Sequence, residues 1–287
     1  MLPFGVLYLI ADALFVIMYY IVRYRRSTVI KNICESFPEK SMSECRAIAR
    51  RFYHNFADLI VETIKLENVS DEQMRSRMIF EGVDIIDNLL EQGRSITAYF
   101  AHCGNWEWAT SVTLWSRFKP NAQAVFSQVY RPLSNKFFDD YFLHLRSRFN
   151  TVSFPKTTVF RELVKLRRDK LPVITGFMSD QKPSRGDTDR HVVMFLNHPT
   201  AVITGTEQLS RKLDNAVVYW DMHREGRGKY RVVVRLITDD ISSMQPMEVT
   251  DRYVQMLSQT INRDPSIWLW SHKRWKNPVT FHSESVK

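Results

Sequence analysis

Cysteine is scarce. Cys34, Cys45 and Cys103 are the only three in 287 residues, and no CxxC pair occurs. So few cannot build a disulfide framework at this size, which favours reduced thiols in a body facing the cytosol. Internal repeats, low-complexity tracts and a convincing interdomain linker are also lacking. There is no P-loop, no GxGxxG and no GxSxG, which removes the commonest phosphate cradles and the serine-hydrolase elbow. The histidines outside the stretch at 102 show no paired ligand spacing, so no metal site is expected. No recognisable nucleic-acid module is present either.

What is present is a folding chain. Hydrophobic residues make up 44% and aromatics 13%, too much apolar surface for a disordered protein. Lys and Arg number 40 against 31 Asp and Glu, a net charge of +9 spread along the chain. That balance suits an anionic partner such as a membrane surface, an acidic lipid, an acidic carrier protein or nucleic acid, or it serves solubility alone.

Residues 2–22 read LPFGVLYLIADALFVIMYYIV, with Asp12 their only charge. As a helix this run is about 30 Å long, one hydrocarbon thickness. Arg23, Arg25, Arg26 and Lys31 follow it. A signal peptide puts its positive charge first, whereas here the order is reversed and the run too long. Residues 1–26 are therefore expected to anchor the chain in a membrane, with the basic C-terminal end in the cytoplasm. Asp12 argues against a simple span, because a mid-membrane carboxylate is costly unless protonated or turned to the protein. A buried helix, or one lying flat on the bilayer, is the alternative.

The remaining body, 27–287, begins with an amphipathic helix over 43–66. From there short apolar runs alternate with helical ones. Strands are expected at 96–101, 122–130, 171–178 and 192–196, and helices at 81–92, 105–118, 134–148, 157–168, 202–213 and 248–262. Residues 216–222 and 230–237 read as a hairpin around Glu225-Gly226-Arg227-Gly228. The pattern predicts an α/β fold with a mixed, largely parallel central sheet and helices on both faces.

In open α/β sheets, ligands bind outside the carboxyl ends of the strands. Three expected ends carry unusual polar groups: His102-Cys103-Gly104-Asn105-Trp106-Glu107, Tyr130-Arg131-Pro132, and Ser179-Asp180-Gln181-Lys182. Gly104 permits a tight turn and Asn105 is a good N-cap. Glu107 in the first helical turn would reach back to one imidazole nitrogen of His102, leaving the other as general base. A surface histidine beside a capping glutamate is the plainer alternative. Cys103 sits next to His102, but adjacent side chains in a turn diverge, which disfavours a thiol nucleophile. The stretch Trp268–Trp275 (WLWSHKRW) suits base stacking, a membrane interface or a core strand equally.

These residues resemble the bacterial lipid A late acyltransferases, the lauroyl and myristoyl transferases of lipopolysaccharide synthesis. His102-Cys103-Gly104-Asn105-Trp106-Glu107 is similar to that family's HxxxxE/D motif. Further blocks follow in order: Tyr24-Arg25-Arg26 with Ser36-Phe37-Pro38-Glu39 upstream, then Val129-Tyr130-Arg131-Pro132, Arg146-Ser147-Arg148-Phe149, Ser179-Asp180-Gln181, Phe195-Leu196 with Pro199-Thr200, and Trp268 to Lys276. Cys103 and Asn197-His198 depart from the pattern. The resemblance implies transfer of a fatty acyl chain from acyl carrier protein to a hydroxyl of a lipid A precursor or related glycolipid, at the cytoplasmic side of the inner membrane. No metal or cofactor is implied, the acyl thioester being the donor substrate. His102 and Glu107 would be catalytic. Asn105 would help stabilise the oxyanion, Arg131 would hold a phosphate, and Asp180 would orient Arg131 or the acceptor; a structural ion pair between Arg131 and Asp180 is the plainer reading. The same chemistry on an amino-acid-containing lipid, a mannoside or a lysophospholipid remains open, as does a catalytically silent membrane-binding protein.

Overall fold

A computed structural model describes residues 2–184, 191–277 and 279–280. The helices, in chain order, are α1 (Phe4–Val16), α2 (Arg26–Ser36), α3 (Met42–Lys65), α4 (Asp71–Arg75), α5 (Val83–Glu91), α6 (Lys136–Ser147), α7 (Val159–Arg168), α8 (Gly205–Lys212) and α9 (Glu248–Arg263). The strands are β1 (Met78–Glu81), β2 (Ile96–Phe100), β3 (Val125–Tyr130), β4 (Val152–Pro155), β5 (Val173–Met178), β6 (Val192–Phe195), β7 (His198–Ala201), β8 (Ala216–Gly226) and β9 (Lys229–Thr238).

Seven strands form one sheet in the order β1-β9-β8-β2-β5-β3-β4. Every ladder in it is parallel except that between β8 and β9. The mixed α/β architecture with a largely parallel sheet and surrounding helices is thus as the sequence pattern predicts. All five residues of β2 are buried, as a strand covered on both faces requires. At Gly176 of β5 an added Cβ would lie 2.9 Å from the Phe100 ring, so that ring occupies the space a side chain would need. Because β5 lies between β2 and β3 in parallel register, the carboxyl ends of all three strands open on one edge.

Several expectations are corrected. The stretch 105–118 is not an α-helix; it winds as a 3-10 helix over Trp106–Leu114. Two edge strands of four residues, β1 and β4, escape the sequence reading; β4 ends in Pro155, which breaks a strand signature. The run at 192–196 is one arm of a hairpin whose return arm, β7, contains Pro199 and so lacks a strand signature. Trp268 and Trp270 are buried in the core, so that part of the C-terminal aromatic stretch is no membrane interface.

The N-terminal run is helical throughout, α1 widening to a π-helical turn over Ile17–Ile21. These 18 residues are long and apolar enough to cross a membrane by length and composition. One face, Leu7, Ala11, Phe15 and Tyr19, is buried, with α1 packed on α3. The opposite face exposes Leu9, Ile21 and Val22. Asp12 faces the protein, where Arg227 Nη2 donates to its Oδ1 over 2.6 Å. Arg227 also reaches Asp58 on α3 at 2.8 Å.

Candidate active site

His102 follows β2, and its loop is braced from behind. Leu269 N–H donates to the His102 carbonyl at 3.0 Å, and Gly104 N–H to the Ile267 carbonyl at 2.9 Å. Gly104 turns the chain with φ +56°, and an added Cβ would lie 2.9 Å from Met222 Cγ and 3.2 Å from the Tyr230 ring. No other residue meets both the left-handed geometry and the space.

The imidazole is held by Asp180, just past β5. Nδ1 of His102 lies 2.8 Å from Asp180 Oδ1. The same carboxylate accepts the His102 backbone N–H at 3.2 Å and the Trp268 indole N–H at 2.9 Å. Burial opposes the charge on Asp180, but the facing imidazole and these donors outweigh it and hold the carboxyl below its ordinary value. An ionised Asp180 assigns the ring proton to Nδ1. Nε2 is then a lone pair, and the side-chain amide of Gln181 donates to it over 3.2 Å. Behind the carboxylate, burial pushes His272 down to about 4, so it stays neutral at physiological pH.

Glu107 does not take the place expected for it. It lies in the first turn after the Asn105 cap, but its carboxylate is claimed by Arg146 of α6: Nε donates to Oε2 at 2.9 Å and Nη2 to Oε1 at 2.7 Å. A fixed two-pronged guanidinium matches a carboxylate better than a single imidazole N–H does. The expected His102–Glu107 hydrogen bond is therefore replaced by two separate pairs, His102–Asp180 and Glu107–Arg146, of which His102, Glu107 and Arg146 line one cleft.

Asn105 does not reach the cleft, and the expected pairing of Arg131 with Asp180 is absent. Asn105 is 0% exposed; its Oδ1 accepts the Trp108 backbone N–H at 3.1 Å and its Nδ2 donates to Glu62 Oε2 at 2.8 Å. Its side chain is spent inside the protein and does not line the cleft. Glu62 is buried and also accepts the hydroxyls of Tyr8 and Tyr230, at 3.0 and 2.9 Å. Burial raises its carboxyl above the ordinary value despite these donors. Arg131 is exposed on the cleft rim, and the Asp180 carboxylate expected to aim it is occupied by His102 and Trp268. Cys103 is buried, its thiol pushed well up by burial, which fits no nucleophile.

The cleft has a volume of about 640 Å³. His102, Glu107, Arg146 and Gln181 form its polar end, while Phe142, Phe177, Met178, Ile203 and Leu209 supply apolar walls. Arg131 and Lys156 stand among the lining residues, together with Leu133 and Phe160. A polar reacting end joined to an apolar trough is the shape that a long-chain lipid or acyl group requires.

Arg146, Trp268 and Glu62 hold or line the site although the strand-end reading did not select them. Gln181 had a signal, since it follows Asp180 at a strand end. Arg146 lies inside a helix; the resemblance marked its block, but nothing in the sequence signals that its partner is Glu107.

No curated protein matches the chain in a sequence search. A family model describing bacterial lipid A biosynthesis acyltransferases matches residues 1–277, a span that includes the N-terminal apolar helix, the three strand ends and the bracing Trp268 segment. With nearly the whole chain covered, the protein belongs to the bacterial lipid A biosynthesis acyltransferase family.

Proposed function

We propose that the protein transfers a fatty acyl chain from acyl carrier protein to a hydroxyl of a lipid A precursor or related glycolipid, at the cytoplasmic face of the inner membrane. The observation that carries this reading is His102: Asp180 fixes its Nδ1 proton, and its Nε2 faces the cleft of a family acyltransferase. The acceptor hydroxyl displaces the Gln181 amide from Nε2; as the acceptor oxygen attacks the thioester carbonyl, Nε2 takes the hydroxyl proton. The tetrahedral intermediate then expels the pantetheine thiolate, which recovers that proton from His102. Asp180 stabilises the imidazolium in between, and no covalent enzyme intermediate is needed.

Arg146 fits the role of oxyanion stabiliser. Two of its N–H groups are committed to Glu107, which fixes the guanidinium plane, and the side chain lines the cleft. Asn105 acts one step back, holding the turn that carries His102. Arg131 and Lys156 suit phosphate groups on the acceptor or on the carrier's pantetheine arm. The net charge of +9 suits both an acidic carrier and a phosphorylated acceptor. The apolar α1 and the family together indicate association with a membrane.

The test is mass spectrometry of products formed by the purified full chain from a panel of acyl carrier protein thioesters and lipid acceptors. An acyl increment on the lipid A precursor supports the proposal. An increment only on a mannoside, an amino-acid-containing lipid or a lysophospholipid would replace the acceptor, and no transfer from any carrier thioester would refute the donor.

A further inference from the structure

Among the described residues, and apart from α1, one region concentrates large apolar side chains in solvent. It lies on the start of α6 and on α7. Phe137 is 72% exposed and Phe138 51%, with Leu133 beside them; on α7, Phe160 and Val164 are exposed one turn apart. Leu133 and Phe160 also line the cleft, so the patch is continuous with its mouth. Solvated phenylalanines in such number demand an explanation, because a monomer rarely exposes contiguous apolar surface without a partner for it.

The charges around the patch indicate which partner. On α7 the exposed Arg161, Lys165 and Arg168 follow i, i+4, i+7 spacing and flank the Phe160–Val164 stripe. Lys212 of α8 lies 5.9 Å from the Phe160 ring, and Lys136 and Lys156 are exposed nearby in sequence. Val159 and Leu163 anchor the other side of α7 in the interior. Asp139 and Asp140 on α6 and Glu162 on α7 are the acidic residues of the same two helices, and the cations named outnumber them. Aromatic and aliphatic groups within a net-basic border suit the headgroup boundary of an anionic bilayer, where rings enter the acyl region and cations meet lipid phosphates.

We propose that the α6–α7 rim is a second membrane contact, independent of α1, that seats the mouth of the cleft on an anionic phospholipid surface. A lipid acceptor then passes from the bilayer into the apolar trough without crossing water. Donor and acceptor play no part in vesicle binding, so the proposal stands or falls separately from the acyl-transfer reading.

The probe is an environment-sensitive fluorophore on Ser134→Cys, an exposed position between Leu133 and Phe137, in the full chain carrying Cys34→Ser. A label on Asp84→Cys, exposed on α5, which packs by β9 in the other half of the sheet, is the control. Vesicles of phosphatidylethanolamine and phosphatidylglycerol at 3:1 should blue-shift the label at 134 and make it quenchable by spin-labelled lipid, while the label at 84 stays aqueous. Replacing phosphatidylglycerol by phosphatidylcholine should weaken the response. Phe137→Asp/Phe138→Asp should abolish the response at 134 although the protein still sediments with vesicles through α1; Phe137→Gln/Phe138→Gln, a milder pair, should weaken vesicle affinity about tenfold with the melting temperature unchanged. An aqueous label at 134 on sedimented protein overturns the proposal. So does failure of the chain to bind vesicles, an undiminished response in the Asp pair, or a response to acyl carrier protein in place of vesicles.

Discussion

The imidazole of His102 donates from Nδ1 to Oδ1 of Asp180 across 2.8 Å, although 78 residues separate them in the chain. That contact sets the tautomer and leaves the Nε2 lone pair to Gln181, a cleft-lining residue that an acceptor hydroxyl can displace. Asp180→Asn replaces an anion by a neutral amide, so the imidazolium formed during transfer loses its stabilising charge. The expected result is a fall in kcat of about 10²–10⁴-fold. Steady-state rates across pH 5–9 check it.

Stability should depend on pH through the same group. The folded carboxyl of Asp180 titrates below its ordinary value, so its contribution is present above the unfolded pKa and is lost as pH falls through the lower folded one. His102, the neutral His272 and the buried Arg274 are the titratable groups acting on it. Melting curves should show Asp180→Asn destabilised most at neutral pH, with the gap to the parent closing below about pH 4.

Glu62 has the opposite sign. Burial raises its folded carboxyl, so the protein is penalised as pH rises and the group is forced to ionise. Glu62→Gln keeps a hydrogen-bonding amide among Tyr8, Tyr230 and Asn105, and is expected to match or exceed the parent in stability at pH 7 and above. Glu62→Ala leaves those groups unpaired beside a cavity and should cost about 3 kcal/mol. Urea unfolding of both variants separates these outcomes.

Two double-mutant cycles probe the rearranged pairs. Arg146→Lys keeps charge but loses the fork to Glu107, and should lower turnover about 10–100-fold; combined with Glu107→Gln the losses should be strongly non-additive. Arg131 and Asp180, joined by no contact, should instead show additive effects. Turnover at saturating and limiting acceptor gives both cycles.

The main architecture was legible because alternating strands and helices have distinct periods. The polar residues that interrupt them at His102, Arg131 and Asp180 marked the cleft. What the sequence did not show was partnership. Linear proximity paired His102 with Glu107, whereas the parallel neighbour β5 brings Asp180 to the ring and α6 brings Arg146 to the glutamate. Asn105 misled for a related reason: a capping residue at a strand end reads as a ligand until Glu62, 43 residues earlier, is seen holding it. β1 and β4 are short edge strands that went unread, β4 because it ends in Pro155.

Catalysis by His102 is the central claim, and turnover of purified His102→Ala tests it most directly. The variant's far-ultraviolet circular dichroism and melting curve should show a folded protein, because the backbone N–H of residue 102 and the Trp268 indole still donate to the buried Asp180 carboxylate and Gln181 lines the cleft. Acyl transfer from acyl carrier protein to a lipid A precursor should fall by about 10²–10⁴-fold. Near-parental turnover by the folded variant would contradict the account.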